Sequence, residues 1–178
     1  MHKSEAVKIF ESRVLADNPD CALLAESTLE RESCFVFFYQ SKQYIETGNF
    51  KDMVVGHGPV IICKETGKVF HLGSAHTTEH YVNAFEACGD PFGELTASIL
   101  ISSCSEGANA VKAIKCLSPT TGKGLAHSKH VIDQVLGGEG IVVELPALEK
   151  VKSTITCLSE YGFYSEQLWS NHGANKAM

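Results

Sequence analysis

Apolar runs separated by turns rich in glycine and proline divide this chain into short strands and amphipathic helices. The strongest run covers residues 35–39, which are aromatic or β-branched and too few for a helix, and it is typical of a strand buried on both faces. Residues 59–63 and 68–72 form two further apolar runs, and Gly67 in the turn between them can adopt a positive φ. The pattern predicts a sheet with its central strand at 35–39, followed by a β-hairpin.

Helical periodicity precedes and follows this sheet. A helix is predicted over about residues 4–16, ended by Asn18-Pro19-Asp20, with apolar positions at Ala6, Val7, Phe10, Val14 and Leu15. A second helix is predicted to start at Thr77 or Thr78 and to bury Tyr81, Val82 and Phe85. Residues 21–28 fit either a strand or a helical turn, and we favour the strand.

Residues 88–93 contain two glycines and a proline, which predicts a domain boundary there. The elements predicted beyond it are a strand at 95–102, a helix from Ala110 that ends at Pro119-Thr120-Thr121-Gly122, a helix over about 125–136, a strand at 141–144, a helix with Pro146 in its first turn, and a strand at 163–169. We therefore predict an α+β fold of two small tandem domains. Residues 1–88 would form a mainly antiparallel sheet with helices on one face, residues 94–169 would follow the order β-α-α-β-α-β, and residues 170–178 would be a flexible tail.

Composition and charge narrow the range of partners. The chain has 178 residues, of which 44% are apolar and 20% charged, and its net charge is −6 with no block of like charges. This charge disfavours nucleic acid and anionic lipid, and it suits a basic protein partner. No apolar run approaches the roughly 18–20 residues that cross a bilayer, and the first ten residues lack the apolar segment of a signal peptide. We expect a cytoplasmic protein without nucleic-acid or membrane partners.

Seven cysteines occur without a C-x-x-C pair, and most of them lie inside apolar runs, at positions 21, 34, 63, 88, 104, 116 and 157. Buried thiols behave as small apolar side chains, and disulfides are uncommon in reducing compartments. We expect all seven to be reduced.

The first half of the chain resembles a known family. The segments FVFFYQSKQY, GHGPVIIC, the turn Thr66-Gly67 and the ending Gly73-Ser74-Ala75 follow the order found in the immunity protein 35 family, also called YrhB-like. The similarity runs from Val14 to about Phe85, although Cys34-Phe35 stand where that family usually has Gly-Trp. The resemblance implies a bacterial immunity protein that binds and neutralises a cognate protein toxin, with a papain-like or deamidase-type effector as the expected partner.

The second half resembles the C-terminal domain of the bacterial ribosomal stalk protein over about residues 94–169. The segments GANAVKAIKCL and TGKGLAHSKHVIDQV carry this resemblance. In that family a basic, partly apolar helical face recruits translation GTPases. Ala110 and Ser118 replace basic residues of that face, whereas the chain keeps Val111, Ile114, Lys115 and Lys129. The resemblance implies the fold, and an adaptor that binds translation factors or acts in a chaperone-like way is the alternative function.

Surface positions in both halves are candidates for partner binding. The first half offers an acidic strip and the end of the 35–39 strand, with the candidates Glu26, Glu30, Glu32, Tyr39, Gln40, Lys42 and Tyr44. The second half offers Val111, Ile114, Lys115 and Lys129. Neutralisation by binding needs no chemistry, so we expect no catalytic residue, no cofactor and no metal.

One motif leaves an enzymatic alternative open. His76-Thr77-Thr78-Glu79-His80 matches H-x-x-E-H, in which two histidines on one helix face bind zinc and the glutamate activates water. Here the motif straddles the predicted start of a helix in a small domain, so we favour two surface histidines. Residues 120–124 lack the first glycine and the Ser/Thr of a phosphate-binding loop. Cys104 with His127 or His130 has no local feature that marks a nucleophile and its base.

Overall fold

The computed structural model describes residues 1–171, which divide into two units: Met1–Gly93 together with Asn171, and Glu94–Ser170. Of the predicted tail at 170–178, residues 172–178 lie outside the described residues, and Ser170 belongs to a strand instead. Helices and antiparallel sheets make up both units, so the α+β prediction is confirmed.

The first unit contains the following elements. Its helices are α1 (Lys3–Phe10, continued by a π-helical turn at Glu11–Leu15), α2 (Lys42–Thr47) and α3 (Thr78–Cys88), and its strands are β1 (Cys21–Leu23), β2 (Leu29–Glu30), β3 (Cys34–Phe37), β4 (Tyr39–Ser41), β5 (Val60–Cys63) and β6 (Val69–His71). One antiparallel sheet has the strand order β2-β3-β5-β6, and β1 pairs with β4 in a separate two-stranded sheet. The predicted hairpin is confirmed, and Gly67 in its turn has a φ of +68°. The predicted central strand is confirmed over Cys34–Phe37, whereas Tyr39 begins β4 in the other sheet.

Strand β3 is buried along its whole length because a helix covers each face of the sheet. Phe35 and Phe37 pack with Phe10 of α1 in one core cluster. Cys34 and Val36 point to the opposite face, where they pack with Phe85 of α3 in another. The prediction of helices on one face was therefore wrong, since alternate side chains of a doubly buried strand need a cover on both sides.

Two further local predictions in the first unit need correction. The strand favoured for residues 21–28 ends at Leu23, and a 3-10 turn at Ala25–Ser27 follows it. Helix α2 was not predicted, although its signals are in the sequence. Ser41 caps its start by accepting a hydrogen bond from Tyr44 N at 3.0 Å, and Gly48 ends it with a φ of +68°.

The second unit contains β7 (Glu94–Cys104), α4 (Ala110–Thr121), α5 (Gly124–Leu136), β8 (Ile141–Glu144), α6 (Glu149–Glu160) and β9 (Phe163–Ser170). This element order is the predicted one. The strands form an antiparallel sheet in the order β8-β7-β9. All three helices share one core cluster with inward side chains of the sheet, including Ile99, Ile101 and Phe163.

The helix end predicted at residues 119–122 is confirmed, whereas the helix start predicted at Pro146 was wrong. Pro119 lies inside α4, and the helix ends only at Gly122, whose φ is +69°. The Thr120 and Thr121 hydroxyls donate hydrogen bonds to carbonyls of that last turn, which continues past the proline. Pro146 precedes the third helix, because α6 begins at Glu149 after Leu148.

The cysteines are not all reduced, contrary to the prediction. Cys116 on α4 and Cys157 on α6 form a disulfide, with their Cα atoms 6.5 Å apart. They are 41 residues apart in sequence and carry no spacing motif. Their pairing follows from the packing of α4 beside α6 in the common core.

We expect Phe37→Ala to lower the free energy of unfolding by about 3–5 kcal/mol, because it empties a fully buried site beside the Phe10 ring, whose centroid is 5.1 Å away. Urea unfolding followed by far-ultraviolet circular dichroism measures this loss. The control Phe50→Ala removes an exposed ring of the same kind and should cost within about 0.5 kcal/mol. Equal losses in the two variants would contradict this assignment of the core.

Candidate functional site

The first unit exposes a concentrated apolar surface on residues 45–55, here called the apolar loop. Phe50 is 79% exposed and Val55 is 78% exposed. Ile45, Met53 and Val54 are also exposed. Five large apolar side chains are thus exposed within eleven residues, which makes this segment a candidate interaction surface.

Gln40 holds the middle of the apolar loop in place. Its side chain is buried in β4, and its Oε1 accepts a hydrogen bond from Val54 N at 2.6 Å while its Nε2 donates to Val54 O at 3.0 Å. The same Oε1 accepts from Ser41 N at 2.8 Å. One amide side chain thus bonds both backbone groups of Val54, much as a neighbouring strand would.

Further hydrogen bonds fix the rest of the loop. The Ser41 hydroxyl donates to the Asp52 carbonyl, and Asn49 Oδ1 accepts from Lys51 N at 3.1 Å. After the loop, His57 Nε2 donates to Tyr39 O at 3.0 Å. The apolar side chains are therefore presented on an ordered backbone, which reduces the entropy lost when a partner binds.

Of the candidates predicted at the end of the 35–39 strand, only two reach the surface. Lys42 is exposed, with its Nζ donating to Pro19 O at 2.7 Å, and Tyr44 is half-buried with its ring centroid 6.1 Å from that of Phe50. The surface prediction for Tyr39 and Gln40 was wrong. The Tyr39 ring packs in the α1 core beside Phe10, and burial raises the pKa of its hydroxyl.

The acidic strip is less uniform than the sequence indicates. Glu26, Glu30 and Glu32 are all exposed, but the carboxylate of Glu30 accepts from Lys64 Nζ at 2.9 Å. Glu32 lines a groove of about 650 Å³ beside the turn between β5 and β6. The three carboxylates therefore do not form one free anionic surface.

In the second unit the four predicted residues do lie together. They line a groove of about 330 Å³ between α4 and α5, whose walls are Val111, Ile114, Lys115, Leu125, Ala126 and Lys129. Val111 is 63% exposed and Leu125 is 60% exposed, because the opposite sides of both helices face the core. Lys129 donates to Asp133 one turn further on. The groove is an apolar trough with lysines at its rim.

The structure does not assemble the H-x-x-E-H motif as a helix-borne zinc site. His76 precedes α3, since Thr77 is the N-cap and its hydroxyl accepts from His80 N at 3.2 Å. The His76 and His80 rings stack, with their centroids 4.2 Å apart. Within residues 1–171, no group of three or more His, Cys, Asp or Glu side chains is placed to hold a metal ion.

Sequence reasoning missed the main residues of the apolar loop, Phe50 and Val55. A signal was available, because Met53, Val54 and Val55 form an apolar segment between Gly48 and Gly56 that lacks a partner run for pairing. Gln40 was misassigned because a glutamine that begins the polar stretch after an apolar run is typical of a surface position. Only its hydrogen bonds to Val54 across the fold show its role.

Comparison with known proteins gives a family match for the first unit. Residues 5–84 match the family described as Immunity protein 35. A stretch of 57 residues, 32% of this chain, is 32% identical to the "Uncharacterized protein YrhB" of Escherichia coli (strain K12). That match spans 61% of the relative's length, so part of the relative has no counterpart in this alignment.

The family match does not extend to the second unit. The family match ends before β7, and nothing in these comparisons supports the resemblance to the ribosomal stalk protein. No solved structure matches the chain. As for membranes, none of the helices in residues 1–171 has the length and apolar character needed to span one.

We expect Gln40→Leu to release the apolar loop while keeping the volume of the buried side chain. The substitution leaves the Val54 N–H and C=O without their partners, so hydrogen exchange at the Val54 amide should accelerate about tenfold or more. Exchange followed by nuclear magnetic resonance measures this. The control Gln43→Leu changes an exposed glutamine on α2 and should leave the exchange rate as it is. Unchanged Val54 exchange in Gln40→Leu would refute the anchoring role.

Proposed function

We propose that this chain is an immunity protein that neutralises a cognate protein toxin by binding it and covering its active site or substrate-binding surface. The observation that carries the proposal is the match of residues 5–84 to Immunity protein 35, in the unit that also presents the apolar loop. Binding alone suffices for this function. The proposal therefore assigns no catalytic residue, cofactor or metal to the chain.

The apolar loop is the part of the first unit best suited to the toxin interface. Phe50 and Val55 supply apolar anchors of the kind that dominate binding energy when they enter a pocket of the partner. Exposed Lys42, Glu46 and Lys51 lie on the same stretch of chain and would form a polar rim. An interface of standard size, about 800 Å² per partner, is large enough to cover a catalytic cleft.

The family resemblance also suggests the class of toxin. We propose a papain-like or deamidase-type effector delivered by a competing or sister bacterial cell. The net charge of −6 favours a basic toxin surface, since opposite charges accelerate association. Residues 1–88 would then be the toxin-binding domain, and residues 94–169 a second domain with a role of its own.

A second candidate function rests on the groove between α4 and α5. An apolar trough rimmed by Lys115 and Lys129 suits an amphipathic acidic helix of another protein. In that case the chain would act as an adaptor that binds a translation factor or a quality-control component through its second unit.

Capture of partners by the full-length protein separates the two candidates. Tagged protein should retain one partner from its native host at one-to-one stoichiometry in moderate salt, identified by mass spectrometry. That partner should be toxic when it is expressed alone and harmless when this chain is co-expressed. Recovery of elongation factors or ribosomal proteins would instead support the adaptor, and a captured partner without toxicity would contradict the immunity function.

Paired substitutions should then locate the interface within the full-length protein. We expect Phe50→Ser with Val55→Ser to weaken toxin binding about 30-fold or more, since loss of a hot spot costs at least about 2 kcal/mol. Val111→Ser with Leu125→Ser is a matched control of similar exposure in the second unit and should leave the affinity unchanged. Isothermal titration calorimetry with the captured toxin measures both. Weaker binding only in the control pair would move the interface to the α4–α5 groove.

A further inference from the structure

Two cysteines of the first unit lie directly opposite each other in the sheet. Cys34 of β3 is the register partner of Cys63 of β5. The Cys34 carbonyl accepts a hydrogen bond from Arg31 N at 2.9 Å, and Cys63 N donates one to Lys68 O at 3.0 Å. The backbone groups of the two cysteines therefore point away from each other, toward the neighbouring segment on either side. The pair is therefore a non-hydrogen-bonded pair, in which Cα atoms lie about 4.5 Å apart. That spacing falls within the roughly 4.4–6.8 Å found across disulfides.

Both side chains point to the same face of the sheet. Cys34 belongs to the core cluster formed with Val36 and Phe85, and Cys63 packs against that cluster from its edge. Opposite residues of an antiparallel pair project to one side of the sheet, with their Cβ atoms about 4.5–5.5 Å apart. Neither cysteine forms a disulfide in this structure.

The two thiols differ in access and in acidity. Cys63 is half-buried and lines the groove of about 650 Å³, together with Lys64, Thr66 and Glu86. Partial burial raises the pKa of the Cys63 thiol, but hydrogen bonds from the Thr66 hydroxyl and from the Thr66 and Glu65 backbone N–H groups outweigh this, so its pKa is lowered overall. Cys34 is fully buried, and burial, followed by the Glu86 carboxylate, raises the pKa of its thiol to about 11.

We propose that Cys63 and Cys34 are the attacking and the resolving thiol of a site that reacts with small disulfides of the glutathione type. The Cys63 thiolate attacks one sulfur of the small disulfide, forming a mixed disulfide and releasing one thiolate. The Cys34 sulfur then attacks Sγ of Cys63, which closes the Cys34–Cys63 bond and expels the second thiolate. That thiolate takes up the Cys34 proton, so one small disulfide becomes two thiols while the pair loses two hydrogens.

The assignment distinguishes Cys63 from the other cysteines among residues 1–171 that lie outside the disulfide. Cys21 is buried, and the Cys88 thiol donates to Ala84 O at 3.1 Å. Cys104 is half-buried like Cys63, but the residue opposite it in the sheet is Phe163. Cys104 can therefore react with a small disulfide without having a thiol to resolve the product, which makes it a matched control. The site does not depend on the proposed toxin binding.

The test is to treat the full-length protein with excess glutathione disulfide, block the remaining thiols with N-ethylmaleimide, and map the modified peptides by mass spectrometry. We expect the wild-type protein and Cys104→Ser to give a peptide pair cross-linked through Cys34 and Cys63. Cys34→Ala should accumulate glutathione on Cys63, whereas Cys63→Ser should give neither product. Cys63 should also be modified about tenfold faster than Cys104 at pH 7.

Peptide mapping of the wild-type protein tests the proposal even where a variant does not fold. Stable glutathione on Cys63 in the wild-type protein would show that Cys34 does not resolve it. Cross-linking of Cys34 to any other cysteine, or faster modification of Cys104 than of Cys63, would also overturn the assignment.

Discussion

The first unit depends on the burial of β3 on both faces. Phe35 and Phe37 enter the core under α1, and Cys34 and Val36 enter the core under α3. Successive side chains of a strand alternate between the two faces of the sheet. The four residues of β3 therefore pack against α1 on one face and against α3 on the other. A slip of one residue in the pairing with β5 would exchange the two sets, so both cores fix the register that sets Cys34 opposite Cys63.

The same strand also determines where the apolar loop lies. After Phe38 the chain leaves the four-stranded sheet and pairs with β1 as β4, which buries Gln40 and Ser41. Their side chains then bond the backbone of residues 52 and 54. These bonds fix the backbone of the apolar loop, while its side chains stay exposed. Here a buried polar side chain holds it outward, where a partner can reach it.

In the second unit, helices cover one face of the sheet, and the core lies on that face. Ile99, Ile101 and Phe163 turn inward, and three helices cover them. Leucine and valine side chains on the outer sides of α4 and α5, such as Val111 and Leu125, are left exposed and form the walls of a shallow groove. Both units thus leave apolar surface in a defined place, although only the first has a family match that suggests what covers it.

The sequence by itself determined the elements whose signals are local. Residues 35–39 predicted a buried strand, Gly67 predicted the hairpin turn, and the order of the second unit followed from apolar periodicity and glycine stops, as the structure confirms. The resemblance to immunity protein 35 was likewise visible in separated motifs that the family match bears out. Tertiary structure alone decided which residues meet. Gln40 forms hydrogen bonds with Val54, Cys34 lies opposite Cys63 in the sheet, and Cys116 forms a disulfide with Cys157. Each of these contacts joins segments that are distant in sequence. Such contacts depend on register and helix docking, which no short stretch of sequence specifies.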